Sequence, residues 1–278
     1  GVFLFLFLCL QTPLQAQSEA FRHITPRDGL PSGFIRTIVQ DSKGFIWIGT
    51  NAGLARHDGY STMSFRNNPE DSTSISGSTV FDFIEYEETT FLVATDAGFN
   101  FFNPATEVFN LVTVPDSLPN PGQVQDLLLL DEHHLWMAAA SGLFHINLST
   151  LNDSDPEVSF YGIPGVGENQ MANLTALAAD SLNHIWAGSD SALYKFDLDT
   201  ERFVDIGHVS NDAARILEGA IWDMLYTSGK DLLITSATGL ARLKNGEDEI
   251  KEVKQLGEFG RRDLRSASFQ SVTEDADG

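Results

Sequence analysis

Asp82, Asp126 and Asp223 are the residues whose type and spacing come nearest to chemistry in this sequence. Each stands ten residues before a bulky apolar residue, Leu92, Trp136 and Leu233 respectively. Thr37, Ala176 and Ser271 hold the same place in three further copies of the pattern. Carboxylates gathered by such a repeat could bind a cation or a hydroxyl-rich ligand. The plainer alternative is a solvated wall or a set of turn caps. No other constellation emerges. His133 and His134 are adjacent, and adjacent side chains on an extended chain point to opposite faces, so they do not make a metal site. His57, His145, His184 and His208 lack metal-ligand spacing. The sequence has no glycine-rich phosphate loop, no His-Glu-x-x-His and no Gly-x-Ser-x-Gly. Arg56 and Arg242 read as exposed strand residues rather than ligand clamps. The expectation is therefore no catalytic residue, no metal and no cofactor.

What must position the three aspartates is a repeat. Trp47, Leu92, Trp136, Trp186 and Leu233 recur at spacings of 45, 44, 50 and 47. Six residues after each comes Gly53, Gly98, Gly142, Ala192 or Gly239, followed by Leu54, Phe99, Leu143, Leu193 or Leu240. Asp58, Asn103, Asn147, Asp197 and Lys244 lie five residues beyond that column. Nine residues before the Trp column stand Ile38, Phe83, Leu127, Leu177 and Met224.

Each unit reads as four short strands, exemplified by residues 34–39, 45–50, 142–146 and 107–111. Turn formers such as Asp41-Ser42-Lys43-Gly44 and Asp197-Leu198-Asp199-Thr200 separate them. Apolar runs of this length bounded by turns argue strand, not helix. Four strands per unit of about 45 residues is the pattern of a β-propeller blade, in an all-β fold. A blade cannot bury both faces alone and stacks on its neighbours, which assigns Trp47, Trp136 and Trp186 to the space between blades. Gly53, Gly98, Gly142 and Gly239 permit a backbone conformation or approach that a side chain would obstruct. Residues 21–25 resemble a fourth strand that closes the ring, which would put first strands innermost and the three aspartates along a central channel. Residues 269–278 repeat residues 35–44 and open a sixth unit. The expectation is five complete blades and part of a sixth, from a seven-bladed ring in a longer protein.

The beginning of the chain is of another kind. Residues 2–10 form an apolar run, well short of the ~20 residues that span a bilayer. With the polar exit through Gln11 and Pro13 it reads as a secretory signal peptide over residues 1–16, leaving a propeller domain over residues 17–278. Its removal would take away Cys9, the single cysteine, which excludes a disulfide framework, a thiolate zinc site and thiol catalysis. With 39 acidic and 17 basic residues the formal charge is −22, which repels phosphate backbones and argues against nucleic-acid binding by this segment. Hydrophobic residues at 42%, including 20 Phe, are ample for a core.

The wording of residues 21–59 is specific. Phe21-Arg22-His23-Ile24-Thr25-Pro26-Arg27-Asp28-Gly29-Leu30-Pro31-Ser32 precedes Val39-Gln40-Asp41-Ser42-Lys43-Gly44-Phe45-Ile46-Trp47-Ile48-Gly49-Thr50 and Asn51-Ala52-Gly53-Leu54-Ala55-Arg56-His57-Asp58-Gly59. This resembles the two-component regulator propeller repeat, the extracytoplasmic sensor module of hybrid two-component histidine kinases. The resemblance implies an exported, periplasmic sensor that signals by phosphorelay through downstream domains, acts as a homodimer, meets the membrane only through a later segment, and responds to oligosaccharides. Alternatives are a sensor coupled to a diguanylate cyclase or DNA-binding output, or a secreted propeller enzyme or binding protein acting on polysaccharide.

Overall fold

The computed structural model describes residues 23–87, 89–151, 157–167, 170–254 and 270–274. The expected signal peptide lies outside these. Five sheets follow one another along the described residues, each with four antiparallel strands joined in sequence order, the fifth carrying one strand more. Blade one comprises Ile35–Gln40, Ile46–Thr50, Gly53–His57 and Thr62–Phe65. Blade two comprises Val80–Glu87, Thr90–Thr95, Gly98–Asn103 and Val108–Leu111. Blade three comprises Val124–Leu129, His134–Ala139, Leu143–Asn147 and Val158–Tyr161. Blade four comprises Leu174–Ala179, His184–Ser189, Leu193–Asp197 and Arg202–Val204. Blade five comprises Ile221–Tyr226, Leu232–Ser236, Gly239–Leu243 and Glu249–Glu252. First strands of consecutive blades touch one another, so they form the inner wall.

The repeated columns fix how blades stack. Phe83, Leu127, Leu177 and Met224 are buried against the preceding blade, and each shares a core cluster with that blade's second-strand residue. Trp47 thus sits among Phe65 of its own blade and Phe83, Phe91 and Phe102 of blade two, with ring centroids 5.1–6.1 Å away. Leu233, the smaller occupant in blade five, is only half-buried. Ile38 has no preceding blade among the described residues and is 64% exposed.

The turns follow the sequence chemistry. Asp58, Asn103, Asn147 and Asp197 each accept backbone N–H groups two or three residues on, closing the turn between third and fourth strands. Gly53 has φ +128°, and a Cβ there would meet the Phe65 carbonyl oxygen at 2.2 Å. Gly98, Gly142 and Gly239 also have positive φ. Ala192 does not share that conformation.

The chain enters differently from the expectation of a closing strand. His23, Ile24 and Thr25 form no strand; Phe21 and Arg22 lie outside the described residues. Thr25 instead caps a single turn, Pro26–Asp28, and the Asp28 carboxylate accepts the Thr25 N–H at 2.9 Å. Proline at the first position and Gly29 at φ +105° after the last favour that turn over a strand. Ile24 and Leu30 pack on Ile46, Ile48 and Ala55 of blade one. The linker into blade five adds a short strand, His208–Val209, parallel to the outermost strand, and a helix, Asn211–Leu217, whose Ala213, Ile216 and Leu217 join the blade's core.

Candidate functional site

Every first strand begins with a bulge. Pairing with the second strand skips Arg36, Phe81, Gln125, Thr175 and Trp222. An extra residue in one strand re-aims the side chains on either side of it. Here the skipped residues and their successors both face the axis. Arg36, Phe81, Gln125, Thr175 and Trp222 line one cavity of about 170 Å³ together with Thr37, Asp82, Asp126 and Asp223. Gln270 and Ser271 of the sixth unit complete its wall. The Arg36 guanidinium lies 5.4 Å from the Phe81 ring centroid. The cavity thus offers a cation, two aromatic rings, two amides and hydroxyls as well as carboxylates, a surface that can stack on and hydrogen-bond to a hydroxyl-bearing molecule.

The three aspartates line this one cavity, and their oxygens serve the fold. Asp82 accepts the Phe83 N–H at 2.8 Å and, across the blade boundary, the Leu127 N–H at 3.1 Å. Asp126 accepts from Leu127 at 2.9 Å and from Leu177 of blade four at 2.6 Å. Asp223 accepts from Met224 at 2.8 Å, from Val272 at 3.0 Å and from the Ser271 hydroxyl at 2.8 Å. Each carboxylate clasps its own first strand to the next. Among the described residues, no three His, Cys, Asp or Glu side chains are grouped to hold a metal ion. Burial pushes Asp126 well above the usual carboxylate range, and the neighbouring Asp82 charge adds to it. Burial also raises Asp82, against the pull of its two N–H donors.

Asp126→Ala strips the acceptor from two backbone N–H groups and is expected to cost about 2–4 kcal/mol at pH 7. Asp126→Asn keeps one acceptor and an N–H that can face Asp82, so about 1 kcal/mol is expected. Because the native carboxyl titrates higher than the unfolded one, its proton-linked stabilisation is complete below pH ~4 and fades as pH rises through the native value. Urea titrations from pH 4 to 7 should show the wild type losing ground against Asp126→Asn. A constant difference over that range would contradict the raised value.

Trp47, Trp136 and Trp186 are buried between blades, Gly53, Gly98 and Gly239 open their third strands, and Gly142 directly precedes one. Arg56 is not a free strand residue: its guanidinium lies 5.0 Å from the Phe45 ring centroid and 5.7 Å from that of Trp47. Arg242 pairs with Asp231. His133 is exposed beside Glu132, apart from His134, which bonds to His145. The sequence reading missed the bulged residues of the cavity, since a bulge breaks the alternation by which faces are read. Their recurrence eleven residues before the Trp column, as Arg36, Phe81, Gln125, Thr175, Trp222 and Gln270, was the available signal.

A sequence-family profile described as "Two component regulator propeller" matches residues 29–52. A histidine kinase of Formosa agariphila, Histidine kinase P4, is 45% identical over 76 residues, which are 27% of this chain and 6% of that protein. The extracellular domain of the hybrid two component system BT3049 from B. thetaiotaomicron superposes at TM-score 0.53 with 17% identity, covering 90% of this chain and 38% of that one. An ancestral GH74 enzyme superposes at TM-score 0.59 with 14% identity, over 80% of this chain and 31% of that one. The chain therefore spans a small part of the kinase and about a third of the two solved chains, whose likeness is one of fold. It is a β-propeller whose residues 29–52 match the two-component regulator propeller repeat.

Proposed function

We propose that this propeller is the exported, ligand-sensing part of a membrane-bound two-component histidine kinase, and that its axial cavity meets the end of an oligosaccharide. The observation that carries the reading is the repeat over residues 29–52 joined to 45% identity with a histidine kinase over 76 residues. The cavity supports the ligand class. Neutral sugars are held by aromatic faces and hydrogen bonds, which Phe81, Trp222, Gln125 and Arg36 supply. Signalling requires that ligand favour one arrangement of a receptor dimer over another, since equal binding to both shifts nothing. The test is the full-length protein in lipid vesicles, with autophosphorylation followed across a panel of oligosaccharides. A change in phosphorylation with at least one neutral oligosaccharide is expected. Failure of the full-length protein to autophosphorylate would overturn the kinase reading.

A second reading, a secreted enzyme acting on polysaccharide, draws on the Asp82–Asp126 pair, in which burial raises one carboxyl in the direction a general acid needs. Against it, the oxygens of both groups already hold backbone N–H groups. New reducing ends released from polysaccharide by this chain alone would favour the enzyme.

A further inference from the structure

A second cavity, about 230 Å³, lies between blades three and four beside Trp136. Blades one and four show what normally fills that position. There an aspartate six residues before the Trp accepts its indole N–H: Trp47 donates to Asp41 at 2.9 Å and Trp186 to Asp180 at 3.0 Å. In blade four the same Asp180 carboxylate also takes His184 Nδ1 at 3.0 Å. Blade three has Leu130 at that place, and its aspartate comes one residue later. Asp131 uses Oδ1 for the N–H groups of His133 and His134, at 2.8 and 2.9 Å, so it closes the turn. Trp136 is 4% exposed, and among the described residues its Nε1 is the one buried side-chain polar atom without a partner. His134 stands where His184 stands in blade four, and its Nδ1 lies 2.9 Å from His145 Nε2. His145 stacks on the Trp136 ring at 4.6 Å.

We propose that this cavity binds a small-molecule carboxylate, which takes the place Asp180 holds in blade four and accepts from Trp136 Nε1–H and His134 Nδ1–H. The groups that face it set its pH dependence. Asp131 and Glu201 line the cavity and Glu157 acts on His145 from the neighbouring strand, all three repelling an anion. Tyr161, its phenol raised by burial, stays neutral. Burial, with the His134 charge beside it, lowers His145 of the His134–His145 pair below the ordinary histidine range. A single proton on that pair makes it a cation and leaves Nδ1–H free to turn to the ligand. Binding therefore strengthens as pH falls.

The test is indole-15N NMR of the chain titrated with sodium acetate and with galacturonate, at constant ionic strength, at pH 5.5 and 7.5. Methyl galactoside serves as the neutral control, and Trp136→Phe assigns the signal. A saturable shift of the Trp136 Nε1–H signal is expected with both carboxylates, at least tenfold tighter at pH 5.5, and none with the control. Leu130→Asp supplies the missing carboxylate from within and should weaken the binding at least tenfold. An unmoved Trp136 signal, an equal response to the neutral sugar, or unchanged binding in Leu130→Asp would each overturn the proposal. Should Leu130→Asp not fold, Trp136→Phe replaces it, read by calorimetric titration with acetate. There, undiminished acetate binding is the overturning result.

Discussion

Trp47→Ala is expected to lower stability by about 4 kcal/mol, enough to unfold a substantial fraction of a marginal domain. Trp47 is 1% exposed and is ringed by four phenylalanines, one from its own blade and three from the next. Truncation opens a void that this aromatic shell cannot close, since stacked rings have few rotamers to offer. Trp47→Phe separates packing from hydrogen bonding. It leaves Asp41, itself only 6% exposed, with one oxygen no longer accepting the indole N–H, for a further cost of about 1–3 kcal/mol. Trp136→Phe removes a donor that already lacks an acceptor and should cost less than Trp47→Phe. Chemical denaturation of the three variants checks the order. Equal losses for the two Phe substitutions would refute the role given to Asp41.

Gly53→Ala is expected to cost about 3 kcal/mol or more, although it adds a single methyl group. The residue sits at φ +128°, where L side chains are strained, and the new Cβ would fall 2.2 Å from the Phe65 carbonyl oxygen. That oxygen belongs to the fourth strand, so relief requires pulling apart the pairing of Leu54 with Phe65. At Gly98 the nearest atom is the Leu111 Cδ1 at 3.3 Å, a movable methyl, so Gly98→Ala should cost about 1 kcal/mol from backbone strain alone. Ala192 occupies the same column without positive φ, and Ala192→Gly should be destabilising by less than about 1 kcal/mol. Thermal melts of the three proteins distinguish these outcomes; a mild effect at Gly53 would show that the fourth strand of blade one can shift.

Blade order, strand order and the contents of the inter-blade core were legible because one packing problem recurs and each solution leaves a column. The Trp47 column, the glycine column and the Asp58 column each answer a constraint present in every blade. Features occurring once left no column. The helix Asn211–Leu217 is seven residues long, and its sequence signal is a Ser210 cap ahead of one buried face. The turn at Pro26–Asp28 was overlooked because the preceding Phe-Arg-His-Ile-Thr has strand composition, while the decisive proline and glycine lie just after it. At the axial site the three aspartates were found by column. Their partners in the cavity were hidden by the bulge, and their N–H donors could not be read because backbone groups carry no letter in a sequence. Asp41 and Asp180, six residues before a Trp, were visible yet unread; Leu130 is informative only beside them.

The clasps along the inner wall all run one way, from a carboxylate in one blade to an N–H in the next. The amides of Leu127, Leu177 and Val272 are consequently built-in gauges, each exchanging its hydrogen with solvent more readily when two particular blades part at the axis. Two boundaries lack the clasp, since Thr37 and Ala176 stand in the aspartate column. Blades one and two are joined instead by Ser42 donating to Glu85, and blades four and five by Thr175 donating to the Ile221 carbonyl and by Ser181 with Tyr226. These boundaries are seams, and stress on the inner wall would be released there first. A molecule seated on the axis rests against the first strands on both sides of each seam. It could therefore work as a wedge or a rivet, and deuterium uptake at Leu127 and Leu177, compared with uptake along the seams, would tell which.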